Sequence, residues 1–417
     1  MDDPAAAAGS VTSMRRSRRA AQLRHRHRVR SVERPLRSGG TLPLAVVRSG
    51  PVPGRPTIVV VPGGPGIGSV VPYADLMRWA RREGVDLLMI EHRGVGLSRC
   101  DTAGRDLGAE DLWIADVVDD VVAVLDAERV DRAVLYGVSY GSYVVQAVAA
   151  VHPERVSALV LDSVILSARD HEAVRATERA VLWDGSGTSR TASRATVRSL
   201  VESGRVPLAE AEPVARLLYE VSGPEVLQRL LALRASGRGE RVWRRILRWS
   251  TLDTRRVLPF VLEFDLVGTI AFRELNYAPE PDGLPFDAAT AFQKVAQSFP
   301  AFVGEPYDLR EMLRGLTVPV VVLSGERDLR TPRSVAREVA RLAPHGHLVP
   351  VAGVGHSLLD TRRAVVRHVL RMLSAHGPAA IRADDPRLVR AAARTALMSA
   401  DVLLRALVRA AELTAPR

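Results

Sequence analysis

Between Leu42 and Val164 the chain alternates brief, wholly apolar runs with longer stretches whose apolar positions recur every three or four residues. The brief runs lie at Thr57 to Val61, Asp86 to Glu91, Ala133 to Tyr136 and Ala158 to Leu161. Their Val, Leu and Ile content without polar alternation predicts strands buried on both faces. Tyr73 to Glu83 and Leu112 to Glu128 carry the helical period. The alternation predicts an α/β fold, a mostly parallel sheet with helices on both faces. From 167 to 310 the strand signal fades into arginine-rich helical stretches holding Trp183, Trp243 and Trp249. It resumes at Val318 to Leu323, followed by a helix over Arg333 to Leu342 and a strand over His347 to Val351. The expected organisation is one sheet, built from residues 38–166 and 311–376 and split by an inserted helical lid at 167–310. Residues 377–417 form an extension, with a helix expected from Pro386 to Leu413. Val389, Ala396, Ala400, Leu403 and Leu407 fall on one face of it, suited to packing on its own domain or on a second copy as a homo-oligomer.

At 417 residues and 47% hydrophobic composition the chain can bury a large core. No window approaches the roughly 18 apolar residues of a spanning helix, so no transmembrane segment is expected. The net charge of +11 suggests a polyanion partner until it is located. Residues 1–37 hold ten arginines against three acids and 380–417 hold seven against four, which leaves about +1 for everything between. Nucleic acid is therefore not the expected partner of the body. Residues 1–37 read as a disordered basic arm, a solvated tail whose alternative use is to anchor on nucleic acid or acidic membrane. The twin arginines of this arm lack the apolar stretch of a signal peptide, and Cys100 is the only cysteine, so a cytoplasmic protein without a disulfide is expected.

Candidate chemistry centres on Gly137-Val-Ser139-Tyr-Gly141, a G-x-S-x-G pattern between the strand at Ala133 and a helical run from Ser142. A serine at such a strand-to-helix turn is a nucleophile candidate, but its hydroxyl needs a base oriented by a carboxylate. The strand from Val318 ends at Gly325-Glu-Arg-Asp328, which delivers Asp328 to the sheet's C-terminal edge; Asp162 and Glu326 are the rival acids. His356 follows the next strand on a glycine-flanked loop at the same edge and is the candidate base, whereas His92, His152, His345 and His347 read as surface or loop residues. Pro62-Gly-Gly-Pro-Gly66 supplies a bare loop after a strand. The N–H of Gly64, with that of Tyr140, could hold an oxyanion. No metal or organic cofactor is expected.

Together these residues resemble the α/β-hydrolase superfamily and, within it, the proline iminopeptidase and tripeptidyl-aminopeptidase serine peptidases. The resemblance covers residues 42 to 375. It rests on Pro62 to Gly66, on Glu91-His-Arg93-Gly94-Val-Gly96-Leu-Ser98, which is similar to a D-x-R-G-x-G-x-S segment, on the elbow at Ser139, on the Asp328 loop with Thr331-Pro332, and on His356. It departs at Glu91, where aspartate is usual, and at Pro62, where iminopeptidases carry histidine. The resemblance implies a Ser139–His356–Asp328 acyl-enzyme mechanism on short peptides or aminoacyl amides. It further implies a lid acid that recognises the free amino end: Glu274, in Phe272-Arg-Glu274-Leu-Asn-Tyr277, or else Glu263 or Asp265. Pairing of Glu274 with Arg273 is the competing role. An esterase or small-molecule amidase is the first alternative, and a non-catalytic protein binding nucleic acid or membrane through its basic ends is the second.

Overall fold

Valine-rich runs too short for a helix and apolar at every position are stable only where both faces are covered, and the sheet is built from such runs. The computed structural model describes residues 4–184, 196–250, 257–393 and 400–413, with side chains from residue 15 onward. Its strands are β1 (Arg30–Pro35), β2 (Thr41–Arg48), β3 (Ile58–Val61), β4 (Leu87–Ile90), β5 (Ala133–Val138), β6 (Val156–Asp162), β7 (Val320–Gly325) and β8 (Gly346–Val351). They form one eight-stranded sheet in the order β1-β2-β4-β3-β5-β6-β7-β8. β1 and β2 join antiparallel and all pairings beyond β4 are parallel. Strand side chains alternate between two cores. Val59, Leu88 and Leu135 pack under α3 (Ile114–Ala127) and α4 (Tyr140–Val151). Val60, Met89 and Tyr136 pack on the other face, with α2 (Ala74–Glu83) and the helix Arg363–His376.

Between β6 and β7 the described chain runs through helices, among them Leu208–Ser222, Pro224–Ala235, Glu240–Ser250 and Phe264–Arg273. Most of these share a third core around Trp243, Leu218 and Leu230. The chain's end joins it. Instead of one helix over 386–413, the extension contains Pro386–Ala393 and Ala400–Leu413, and the second packs on the lid helices through Leu404 and Val408. The expected face is corrected: Val389 and Leu403 are 52% and 46% exposed, while Ala396 lies outside the described residues. Apolar residues occupy adjacent positions at Leu403 and Leu404, so periodicity alone does not choose the buried one.

The beginning of the chain departs further from expectation. In place of a disordered arm, residues 4–27 form helix α1 and Arg30–Pro35 form the sheet's edge strand, with Arg30 opposite Val46. Four of the arginines that made this segment look disordered find acids on the body, among them Arg16, which reaches Glu263 at 2.6 Å, and Arg34, which reaches Asp120 at 2.8 Å. Leu23 is buried in the core on the α2 side. Composition counts charges without knowing that their partners lie elsewhere in the chain. Among the described residues no helix is long and apolar enough to cross a membrane.

Candidate active site

β5 passes into α4 through Ser139, whose φ of 50° and ψ of −119° lie outside the ordinary regions for a side-chain-bearing residue. The surroundings hold it there. Its N–H donates to Asp162 O at 2.9 Å, and its own carbonyl accepts from Ser142 N at 2.8 Å. A Cβ on Gly137 would run into Gly141 O and the Val145 side chain, and one on Gly141 would run into the carbonyls of Val61 and Pro62. Both glycines therefore answer to close backbone approach, which makes the G-x-S-x-G spacing a geometric requirement here.

Residues separated by up to 217 positions converge on the serine. His356 Nε2 lies 3.1 Å from Ser139 Oγ, and His356 Nδ1 lies 3.0 and 3.1 Å from the two carboxylate oxygens of Asp328. Asp328 accepts further bonds from the N–H groups of Arg330 and Thr331 and from the Thr331 hydroxyl at 2.8 Å. Burial alone would raise the Asp328 pKa; the charge and hydrogen bond of His356, with the Thr331 bonds, outweigh it and leave the carboxyl below its ordinary value. Burial likewise pulls His356 down, yet the charge and hydrogen bond of Asp328 leave the imidazole raised. The Asp328 side chain is fully buried while that of His356 is 15% exposed, so the base is the member that meets a ligand.

The rival acids have other work. Asp162 accepts from Leu358 N and Leu359 N at 3.1 and 3.0 Å and so pins the turn after His356; burial raises its pKa to about 6. Glu326 accepts from Gly353 N at 2.7 Å in the loop before the histidine. His92, expected to be a surface or loop residue, lies in the loop after β4 and stands beside the nucleophile's neighbour. Its Nε2 is 2.9 Å from the Tyr140 hydroxyl and its Nδ1 2.5 Å from Arg93 O. Burial lowers its pKa to about 4. The neutral ring must then donate from Nδ1 to the carbonyl and accept at Nε2 from Tyr140.

The Pro62–Gly66 loop lies against the elbow. A Cβ on Gly63 would stand 3.1 Å from Ser139 Cβ. Gly64 has a φ of 121° and its carbonyl accepts from the Tyr277 hydroxyl at 3.1 Å. Among the described residues the N–H groups of Gly64 and Tyr140 have no protein acceptor. Tyr277 was not singled out from the sequence, although it closes the same six-residue segment that contains Glu274.

Glu274 is 3% exposed, and its Oε2 accepts from Ile114 N at 3.1 Å and stands 3.5 Å from the Arg273 guanidinium. Arg273 is mainly engaged elsewhere: it donates to Ala109 O at 3.0 Å and to Leu112 O, and it lies 3.3 Å over the Trp113 ring. Glu274 Oε1 has no protein partner among the described residues. Burial raises the Glu274 pKa, and after burial its charge is the largest cause raising the hydroxyl pKa of Tyr140, the residue next to Ser139. Glu263 is held by Arg16 and Asp265 by Arg99 at 2.8 Å, so neither fallback acid is free. Among the described residues no three His, Cys, Asp or Glu side chains gather as metal ligands would.

Solved structures similar to this chain include the carboxylesterase CesB of Bacillus subtilis, at 17% identity over 86% of this chain and 97% of that one with a TM-score of 0.45. Another is the esterase RhEst1 from Rhodococcus sp. ECU1013, at 19% identity over 84% and 99% with a TM-score of 0.44. A third is an esterase from Exiguobacterium antarcticum, at 15% over 82% and 99% with a TM-score of 0.44. The family model described as alpha/beta hydrolase fold matches residues 56–362, from β3 through the turn after His356. The mostly parallel sheet, the elbow at its C-terminal edge and this match over most of the chain agree: the chain belongs to the α/β-hydrolase fold family.

Proposed function

We propose that the protein is a serine hydrolase that cleaves amide bonds beside a free amino end, in short peptides or aminoacyl amides. Ser139 Oγ attacks the carbonyl, His356 takes the proton and returns it to the leaving amine, and Asp328 holds the imidazole with Nδ1 protonated. The N–H groups of Gly64 and Tyr140 would hold the developing oxyanion, each contributing about 3 kcal/mol to lowering the barrier. Water then repeats the sequence on the acyl-enzyme.

The observation that carries the aminopeptidase reading is the unpartnered Oε1 of buried Glu274, on a lid segment that Tyr277 ties to Gly64. A substrate ammonium would complete that carboxylate's bonding and keep it ionised despite burial. The test compares an amino-acid p-nitroanilide with its N-acetylated form. The blocked substrate should lose at least 100-fold in kcat/KM, about 2.7 kcal/mol, and Glu274→Gln should remove most of the difference. Equal rates would refute the amine-binding role while leaving acyl transfer standing.

An esterase reading has its own support: Arg273 lies 3.5 Å from Glu274, and Glu263 and Asp265 are spent on arginines. Hydrolysis of p-nitrophenyl esters with no response to Glu274→Gln is its expected signature. Absence of fluorophosphonate labelling at Ser139 would remove both enzymatic readings.

A further inference from the structure

The C-terminal end of α1 lies beside α2, and the two frame a cleft of about 280 Å³ lined by Arg26, Arg28, Arg78 and Arg81. Its volume is near the lower end of small-ligand pockets, roughly 300–1,000 Å³. Its floor includes Val70 and Met77, so it offers an apolar base below a cationic rim. None of its lining residues belongs to the Ser139 site.

Four of the ten arginines of the first 37 residues, Arg16, Arg30, Arg34 and Arg37, are each held by an aspartate or glutamate of the body. Arg26 and Arg28, with Arg78 and Arg81 opposite them, form no ion pair among the described residues; Arg81 makes only a 3.5 Å contact to Arg48 O. These cations lie close enough to feel one another. Burial and then the charge of Arg28 lower the Arg81 pKa, and His27, in the same lining, is lowered by burial and then by Arg26, Arg78 and Arg81. Arg28 also holds a left-handed φ of 55° at the end of α1, a position that glycine fills at lower cost. Four arginines lining one concavity that no carboxylate lines leave a positive field that a bound anion would neutralise. The planar donor fork of arginine matches the oxygens of phosphate.

We propose that this cleft binds an anionic phosphate group, shared among Arg26, Arg28, Arg78 and Arg81, with the organic part of the ligand resting on Met77 and Val70. The phosphate could come from a soluble phosphate ester or from a phospholipid headgroup, and the two are separable by experiment.

Full-length protein is titrated with inorganic pyrophosphate by calorimetry and, separately, sedimented with phosphatidylcholine vesicles with and without phosphatidylglycerol. The variants are Arg78→Ala/Arg81→Ala and, as a charge-matched control outside the cleft, Arg337→Ala/Arg341→Ala. Saturable one-site binding of pyrophosphate, weakened at least tenfold (about 1.4 kcal/mol) in the cleft variant and unchanged in the control, supports a soluble ligand. Binding only to the phosphatidylglycerol vesicles with the same variant pattern supports the headgroup source. The proposal is overturned if neither probe binds, or if both variants weaken binding equally, which is the behaviour of diffuse surface charge. All four positions are exposed, so a melting curve matching the parent protein checks that the variants fold.

Discussion

Replacing Arg16 with glutamine tests whether the N-terminal helix is part of the working structure. Arg16 donates to both carboxylate oxygens of Glu263, at 2.6 and 3.0 Å, and to Gly96 O at 3.1 Å, and it stacks 4.6 Å over the Phe260 ring. Glu263 is fully buried and also accepts from Gly96 N at 2.6 Å and Phe260 N at 3.2 Å. Its own N–H donates to Gly66 O at 2.8 Å, which ties the start of the Phe264–Arg273 helix to the Pro62–Gly66 loop. Removing one partner of a buried ion pair costs about 3–5 kcal/mol. Here Arg16 is 25% exposed, and two backbone N–H groups go on solvating the carboxylate, so about 2 kcal/mol is the better expectation. That is roughly a 30-fold rise in local opening. Hydrogen exchange at Glu263 and Phe260 should accelerate by that factor, and kcat should fall as the loop facing Ser139 loosens. Glu263→Gln in the same chain should recover most of the protection, because it removes the uncompensated charge. Exchange and turnover within threefold of the parent would refute the reasoning and return the helix to the status of a solvated tail.

Asp328→Asn should lower kcat by roughly four orders of magnitude, the size that loss of the orienting carboxylate has in a Ser-His-Asp triad, with folding retained because the amide oxygen can still accept from Thr331 N. The base works as neutral imidazole, and Asp328 raises the His356 pKa above its ordinary value. The acidic limb of kcat/KM is therefore expected above about pH 6.5, and a pH profile should show it move to lower pH in Asp328→Asn. The stability part of this pair has the corresponding sign: with the His356 pKa raised on folding, its contribution is complete below about pH 6.5 and is lost as pH rises through the folded value. Gly141→Ala places a methyl against the carbonyls of Val61 and Pro62, where rigid backbone must yield. A loss of about 1–3 kcal/mol by urea denaturation is expected, together with slower fluorophosphonate labelling of Ser139; labelling at the parent rate would contradict the tight-packing account of the elbow.

Local regularities made much of this protein legible before any coordinates. Apolar runs without alternation marked β3, β4, β5, β6 and β7, because a strand covered on both faces has no polar side to record. The glycines around Ser139 marked the elbow, because close backbone approach excludes other residues wherever it occurs. Asp328 and His356 were readable for a related reason: each follows a strand of one sheet, so its edge is known even when its partner is not. What stayed hidden depends on pairs chosen by the fold. Arg16 and Glu263 are 247 positions apart, and Ile114 and Glu274 are 160 apart. Nothing in the local spacing of either member announces the other, and so the first 37 residues read as a disordered tail instead of a helix and an edge strand. The buried face of Ala400–Leu413 was likewise settled by the lid helices it meets and not by its own period. Strands β3 to β7 and the place of a nucleophile were therefore written in local sequence, whereas the edge strand β1 was not. Which charges find a partner was settled by the tertiary structure: Arg16 meets Glu263 across 247 positions, while Arg26, Arg28, Arg78 and Arg81 meet no carboxylate among the described residues, because those distances follow from how the sheet and its helices pack.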